Sequence, residues 1–168
     1  MEEWRLRCGF RLMRFEASSC SRIPILHSGS TRYALGLLEA ADRRFGSWFK
    51  VTLSSEDVPG VMLPPHREGD FELIPPSGLR VSEVVSRVDL LPPVHVCRQR
   101  IEDVSRDPLS AVFLSAAPLD DPAYSDYRDL VKRGYKGLTH LDGLHRLIAW
   151  ARLGSSGITA YVAGIVGP

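Results

Sequence analysis

Apolar residues recur every three or four positions in several stretches of the chain, which is the spacing of helices with one buried face. The clearest stretch is 31–45, where Ser30 or Thr31 can cap the first turn and Gly46 ends the pattern. Charged residues fill the positions between the apolar ones. The same spacing predicts further helices at 80–91, 94–108 and 144–154. Within 119–137 it predicts one more, with Tyr124, Tyr127, Leu130 and Val131 on one face and Gly134 as its stop.

Shorter apolar runs bounded by proline, glycine or polar residues predict strands. Prolines divide the stretch 61–78, which therefore reads as a loop with one edge strand. Val94 and Val96 also alternate as in a strand, although the charged residues that follow them favour a helix. The predicted strands are 48–53, 71–74, 110–118, 137–141 and 157–165.

The order of these elements predicts the fold class. From Ser110 onward strands and helices alternate, which is typical of a mixed α/β domain of the α+β-like kind. A chain of 168 residues suits one such domain, which we expect to span 31–168. Residues 1–30 are expected to form a poorly ordered or peripheral segment, a helical extension of the domain. They are rich in arginine but lack the apolar core of a secretory signal.

Composition excludes several classes of protein. The formal net charge is +1, which offers no field for polyanions, so nucleic acid is not expected as a partner. The longest apolar runs fall short of the roughly 20 residues that span a bilayer, and no membrane association is predicted. Cys8, Cys20 and Cys97 lie far apart with no CxxC pair, so neither a disulfide framework nor a zinc finger is indicated. A reducing cytoplasm is the expected compartment.

The segment THLDGLHRLIAWARLG, residues 139–154, carries the strongest chemical signal. It reads as a strand followed by a helix, and the first amides of such a helix have no partners inside it. Asp142 can cap them, or a ligand oxyanion can take its place. Gly143 allows a tight backbone turn and the close approach of a ligand. His145 and Arg146 add donors that suit phosphate, sulfate or carboxylate.

The same residues also fit a purely structural interpretation. Asp142 would then be a helix cap, Gly143 a turn, and His145 and Arg146 the solvated side of a helix. On spacing alone this interpretation is slightly favoured, and both stay open.

The sequence LTHLDGLHRLIAWARLGSSGITAYVAG resembles the signature of the ParB/sulfiredoxin-like superfamily. In that superfamily a strand leads to a D-G-x-H-R turn, followed by a helix rich in Ala and Leu and a further strand. The resemblance covers about the last quarter of the chain and implies a single domain of that fold. It also implies that Asp142, Gly143, His145 and Arg146 form a phosphate-binding turn.

Departures from the superfamily narrow what the resemblance implies. Sulfiredoxins have a cysteine where this chain has Leu144, so reduction of a sulfinic acid is not expected. Chromosome-partitioning members need a further helix-turn-helix domain and a basic surface, neither of which is evident. The free-serine kinases are stand-alone members that remain similar. The implied activity is phosphoryl transfer to an amino-acid-like substrate, with ATP or ADP and Mg²⁺ as the implied cofactor.

The predicted roles follow from this resemblance together with the residue chemistry. Asp142 and His145 are the expected catalytic residues, and Gly143, Arg146 and His140 are expected to bind the substrate oxyanion. One more residue is added from the proline-bounded loop, because such loops often carry binding residues. It is Arg67, a candidate lid contact between His66 and Glu68.

Two other functions stay open. A fainter resemblance to small proteins of actinomycete natural-product clusters implies a subunit that expels sulfate from a carrier-bound amino-acid ester to form an aziridine. An oxyanion site would serve that reaction as well. The third function is a non-catalytic partner subunit that binds another chain or a homologue of itself. In all three cases a small anionic substrate or a protein is the expected partner.

Two further constellations are weaker. His140, Asp142 and His145 have a spacing that could hold a metal, but no further ligand is evident, and no metal site is predicted. His95 and Cys97 could form a nucleophile pair only on a strand, and a buried cysteine beside a surface histidine is more common.

Overall fold

The structure, a computed structural model, describes residues 31–106, 111–155 and 157–164, together with the backbone of 15–20. Its helices are α1 Arg32–Phe45, α2 Val81–Val88, α3 Val96–Val104, α4 Arg128–Lys132 and α5 Leu144–Leu153. Its strands are β1 Phe15–Cys20, β2 Trp48–Leu53, β3 Met62–Leu63, β4 His66–Glu68, β5 Phe71–Ile74, β6 Leu79–Arg80, β7 Val112–Ser115, β8 Thr139–Asp142 and β9 Ile158–Ala163.

A mixed seven-stranded sheet organises the fold, in the order β1-β2-β9-β7-β8-β3-β6. The pairs β7/β9 and β3/β8 are parallel, and the other neighbours are antiparallel. Strands β4 and β5 form a separate hairpin. The mixed α/β class expected from the sequence is confirmed.

Helices cover both faces of this sheet. One buried cluster combines apolar side chains of α2, α3 and α5 with Val112 and Leu114 of β7. The other combines those of α1 and α4 with Phe113, the residue between them. Because successive side chains of a strand point to opposite faces, the two clusters lie on opposite sides of the sheet. Two apolar layers therefore hold the strands in place.

Local signals account for the first helix. The Thr31 hydroxyl accepts the Ala34 N–H at 3.2 Å, and Gly46, with φ of 69°, donates its N–H to the Asp42 carbonyl. The capped helix and the following strand β2 have the predicted positions. Helices α2, α3 and α5 and strands β5, β7, β8 and β9 also form where they were predicted, most of them shorter than the pattern indicated.

The helix predicted within 119–137 forms over most of the positions that carry its apolar face, but not over the residues before them. A 3-10 turn, Ser125–Tyr127, leads into the five-residue α4, which ends just before the predicted stop at Gly134. The Asp121 carboxylate accepts the Ala123 N–H at 2.9 Å, and Pro122 has no N–H to donate. These two residues favour a turn over a helix.

The stretch 61–78 contains more strand than expected. Besides the predicted β5, it forms β3 and β4, and β6 follows directly. Strand β3 is only two residues long and is held by β6 on one side and by β8 on the other, where Met62 pairs with Thr139. A strand of two residues is too short to show the alternation of apolar and polar positions that predicts strands. It forms because distant segments of the chain pair with it.

The N-terminal segment also departs from expectation. The residues described there, Phe15–Cys20, form the edge strand β1, antiparallel to β2, where a helical extension was expected. The rest of 1–30 lies outside the described residues. Among the helices that the structure describes, none is both long and apolar enough to cross a membrane.

The N-cap of α1 generates a testable prediction. Replacing Thr31 by Ala removes the acceptor for the Ala34 amide and should lower the free energy of unfolding by about 1 kcal/mol. Thr31→Ser keeps a hydroxyl and should stay close to wild type. Urea unfolding followed by circular dichroism measures both, and equal losses in the two variants would contradict the capping role.

Candidate functional site

A cavity of about 580 Å³ lies where the parallel strands β3 and β8 end. Beyond β8 the chain turns into α5, and beyond β3 it continues through Pro64 and Pro65. Residues of α1 and α3 complete the walls. The carboxyl ends of parallel strands are a frequent place for ligands in α/β sheets. All the residues of the turn 142–146 line this cavity.

Gly143 allows the strand-to-helix turn to pass close to β7. Its φ is 98°, a conformation that side chains rarely adopt. A Cβ at this position would lie 2.5 Å from Val112 Cγ1 and 3.0 Å from Arg146 Nη2. Only glycine therefore fits both the backbone and the space, and α5 begins with no capping side chain at this residue.

Arg146 binds protein groups inside the cavity wall. Its Nη1 donates to the Ala111 carbonyl at 2.7 Å, and its Nη2 lies 3.3 Å from Asp142 Oδ2. The two side chains are only 16% and 22% exposed. Burial lowers the pKa of Arg146, and the Asp142 carboxylate opposes this effect. The guanidinium thus orients Asp142 and joins the turn to the segment before β7.

His140 lies buried on β8, and its side chain lines the cavity. Its carbonyl accepts the Tyr127 hydroxyl at 2.9 Å, but neither ring nitrogen has a hydrogen-bond partner among the described residues. Burial, reinforced by His145 and Arg146, lowers the pKa of His140 to about 3. This imidazole is therefore neutral at physiological pH.

His145 projects from the first turn of α5 next to His66. The two rings meet edge to face, with centroids 5.6 Å apart. Burial, with His66 and Arg100 nearby, lowers the pKa of His145 to about 4. Burial also lowers the pKa of His66. The His145 Nε2 is buried and has no hydrogen-bond partner in the part of the chain that is described.

The proline-bounded loop contributes His66 to the cavity instead of Arg67. The side chain of Arg67 is not part of the cavity wall, and its Nε donates to the Gly69 carbonyl at 3.2 Å. The cation that lines the cavity from outside the turn is Arg100 of α3, with Nη1 3.8 Å from Glu68 Oε2. Arg100 lies in a charged helix with no local motif, so the sequence carries no signal for it.

The opposite wall contains a second pair that the sequence does not indicate. The Tyr33 hydroxyl donates to Asp126 Oδ2 at 2.5 Å, across 93 positions of the chain. Burial and the Asp126 carboxylate raise the pKa of Tyr33, so the phenol keeps its proton. This pair joins α1 to the 3-10 turn before α4 at the rim.

Cys97 faces His66 and does not pair with His95. Its Sγ lies 3.4 Å from His66 Nε2, while His95 Nδ1 accepts the Cys97 backbone N–H at 3.2 Å as the cap of α3. The thiol is buried, and burial raises its pKa. The His95–Cys97 nucleophile pair is thus not formed. The sequence had favoured a buried cysteine instead, and Cys97 is buried.

The fold and the cavity define a mixed α/β protein with a concave site at the ends of β3 and β8, lined by both apolar and charged residues. The chain belongs to the family of unknown function DUF6309, which matches residues 25–168. No curated protein and no solved structure matches it.

The turn at Gly143 generates a second prediction. Gly143→Ala should lower the free energy of unfolding by about 3 kcal/mol, because it combines a disfavoured φ with overlap against Val112. Gly154→Ala is the matched control at the other end of α5: its φ is 63° and no atom lies within 4 Å of its added Cβ. It should lose about 1 kcal/mol. Chemical unfolding measures the difference, and equal losses would show that Val112 imposes no constraint.

Proposed function

We propose that this chain is a small-molecule enzyme that binds a phosphate or sulfate ester of an amino-acid-like substrate in the cavity. One observation carries the proposal: the N-terminus of α5, with glycine at its cap, opens into the same cavity that Arg100 lines. Helix N-termini and guanidinium groups are both complementary to tetrahedral oxyanions.

The volume of the cavity fits this class of ligand. Small-molecule sites measure about 300–1,000 Å³, and the cavity here measures about 580 Å³. It offers room for an amino-acid ester with one or two phosphate groups.

The anion is placed at the first turn of α5. The backbone N–H groups of Leu144, His145 and Arg146 have no carbonyl partner within the helix, as in any first helical turn. The partial positive charge of the helix end favours an anion there. Gly143 leaves that end open, and Arg100, which also pairs with Glu68, brings a guanidinium to the wall.

The roles of the turn residues follow from their contacts. Arg146, which binds Ala111 and Asp142, holds the carboxylate of Asp142 toward the cavity, where it orients an acceptor hydroxyl or amine. His140 and His145 are neutral, so they offer lone pairs and do not add positive charge for the oxyanion.

The resemblance to the ParB/sulfiredoxin-like superfamily favours phosphoryl transfer, as in its free-amino-acid kinases, with ATP or ADP and Mg²⁺. The same anion site would hold a departing sulfate in an aziridine-forming reaction. A reducing cytoplasm is the compartment we infer, since the three cysteines lie far apart in the sequence with no CxxC pair.

A thermal-shift panel distinguishes these reactions. The purified chain is heated with ATP, ADP, CTP, pyrophosphate, phosphate or sulfate, each with and without Mg²⁺. A ligand at about 100 times its Kd adds about 2.7 kcal/mol of stability, or roughly 5–10 °C for a chain of this size. A shift with nucleotides supports phosphoryl transfer, and one with sulfate or phosphate alone supports ester elimination. No shift would overturn the anion site and favour a partner subunit, for which Leu90, Val94 and Leu153 are exposed.

The third prediction tests the role of Arg100. Arg100→Gln should weaken binding of the anion that gives the shift by about 10-fold or more, because a charge-assisted hydrogen bond is lost. Arg106→Gln removes the same charge from an exposed arginine that pairs with Asp103 outside the cavity, and should leave the affinity unchanged. Isothermal titration calorimetry gives both values. Equal affinity in the two variants would show that Arg100 does not bind the anion.

A further inference from the structure

Three metal-ligating side chains from distant parts of the chain meet at the cavity wall. His66 lies on β4, Cys97 in the first turn of α3 and His145 in the first turn of α5. Each offers one ligand atom, and the three atoms lie within 4.8 Å of one another. The sequence indicated no such site, because the three residues are far apart along the chain. His66 and Cys97 are 31 positions apart, and His145 lies farther still from Cys97.

The spacing of the donors is close to that of a tetrahedral metal centre. Zinc binds sulfur at about 2.3 Å and nitrogen at about 2.0–2.1 Å, which places neighbouring S and N ligands about 3.6 Å apart and two N ligands about 3.3 Å apart. His66 Nε2 and Cys97 Sγ lie 3.4 Å apart. The remaining separations, at most 4.8 Å, need to contract by no more than about 1.5 Å to reach these tetrahedral values.

The surroundings of the cluster favour a metal over a set of ordinary polar contacts. A buried imidazole nitrogen without a partner is costly, and His145 Nε2 is one among the described residues. Its ring packs edge to face against that of His66. An imidazole nitrogen can ligate a metal ion, which would supply the partner that His145 Nε2 lacks.

We propose that His66, Cys97 and His145 bind one divalent transition-metal ion, with zinc the best match to a ligand set of one thiolate and two imidazoles. The Cys97 thiol loses its proton to solvent as the sulfur–metal bond forms. Both histidines line the cavity and Cys97 does not. The fourth coordination position therefore faces the cavity, where water or a ligand can occupy it.

Such a centre is of the catalytic kind. Structural zinc sites have four protein ligands, whereas catalytic ones have three and keep one position open. An ion here would lie beside Arg100 and the turn at Gly143, and would polarise an oxygen bound in the cavity. The metal site and the anion site at α5 share this cavity but use different atoms, ring nitrogens and a thiol in one and backbone amides with Arg100 in the other, so each can be tested separately.

The fourth prediction concerns metal binding by the full chain. Cys8 and Cys20 are first replaced by Ser, so that Cys97 is the only thiol left. The chelator-treated protein is titrated with Co²⁺, followed by absorption, and with Zn²⁺, followed by calorimetry. We expect one ion per chain, tetrahedral cobalt bands in the visible and a thiolate-to-cobalt band in the near ultraviolet.

Single variants assign the ligands. Cys97→Ser should abolish the thiolate-to-cobalt band, and His66→Gln and His145→Gln should each weaken Zn²⁺ binding by about 100-fold. His95→Gln is the matched control, since His95 lies next to the cluster but caps α3 instead. It should bind Zn²⁺ as the parent protein does.

Two further measurements, of folding and of anion affinity, separate loss of the metal site from loss of the fold or of the anion site. Circular dichroism checks that each variant is folded, and His66, on a half-buried hairpin, is the substitution that the fold should tolerate best. Absence of one-to-one binding in the parent protein would overturn the metal site, as would unchanged binding in both Cys97→Ser and His66→Gln. Anion affinity measured in the chelated protein tests the α5 site separately, so failure of one does not imply failure of the other.

Discussion

The geometry of the cavity depends on the close approach of the Gly143 backbone to the side chain of Val112. A side chain there would overlap Val112, so the connection from β8 to α5 lies directly against β7. This contact sets where α5 begins and how far its first turn reaches over the sheet edge. His145 and Arg146 take their positions from that first turn, and the cavity lies in front of it.

The polar side chains that line the cavity differ in whether they have a partner in the protein. Arg146 and Asp142 neutralise each other at 3.3 Å, and Arg146 also binds the Ala111 carbonyl. His140 and His145 are buried without hydrogen-bond partners on three of their four ring nitrogens, as far as the described residues go. Unsatisfied buried polar groups cost about 1–3 kcal/mol each. Proteins tolerate that cost mainly where function requires the groups. This supports assigning function to the ends of β3 and β8, where the two histidines lie.

How well an element could be predicted depended on the range of the interactions that form it. Helix α1 has its cap and its stop in the residues directly next to it, Thr31 and Gly46, and its bounds were predicted closely. The helix expected within 119–137 begins only at Ser125, because an Asx turn at Asp121 competes with helical hydrogen bonding ahead of it. Strand β3 was missed because two residues carry no period, and its existence rests on pairing with β6 and β8.

The sequence by itself determined the mixed α/β class, most helices and strands, and the turn 142–146 as the place of interest. Those features depend on contacts between residues at most a few positions apart, which leave a readable pattern. Only the tertiary structure decided that His66, Cys97 and Arg100 lie beside that turn. Their proximity follows from the order of strands in the sheet and from the packing of α3 against α5. Such long-range contacts are set by burial and close packing of whole elements, and so leave no spacing to read along the chain.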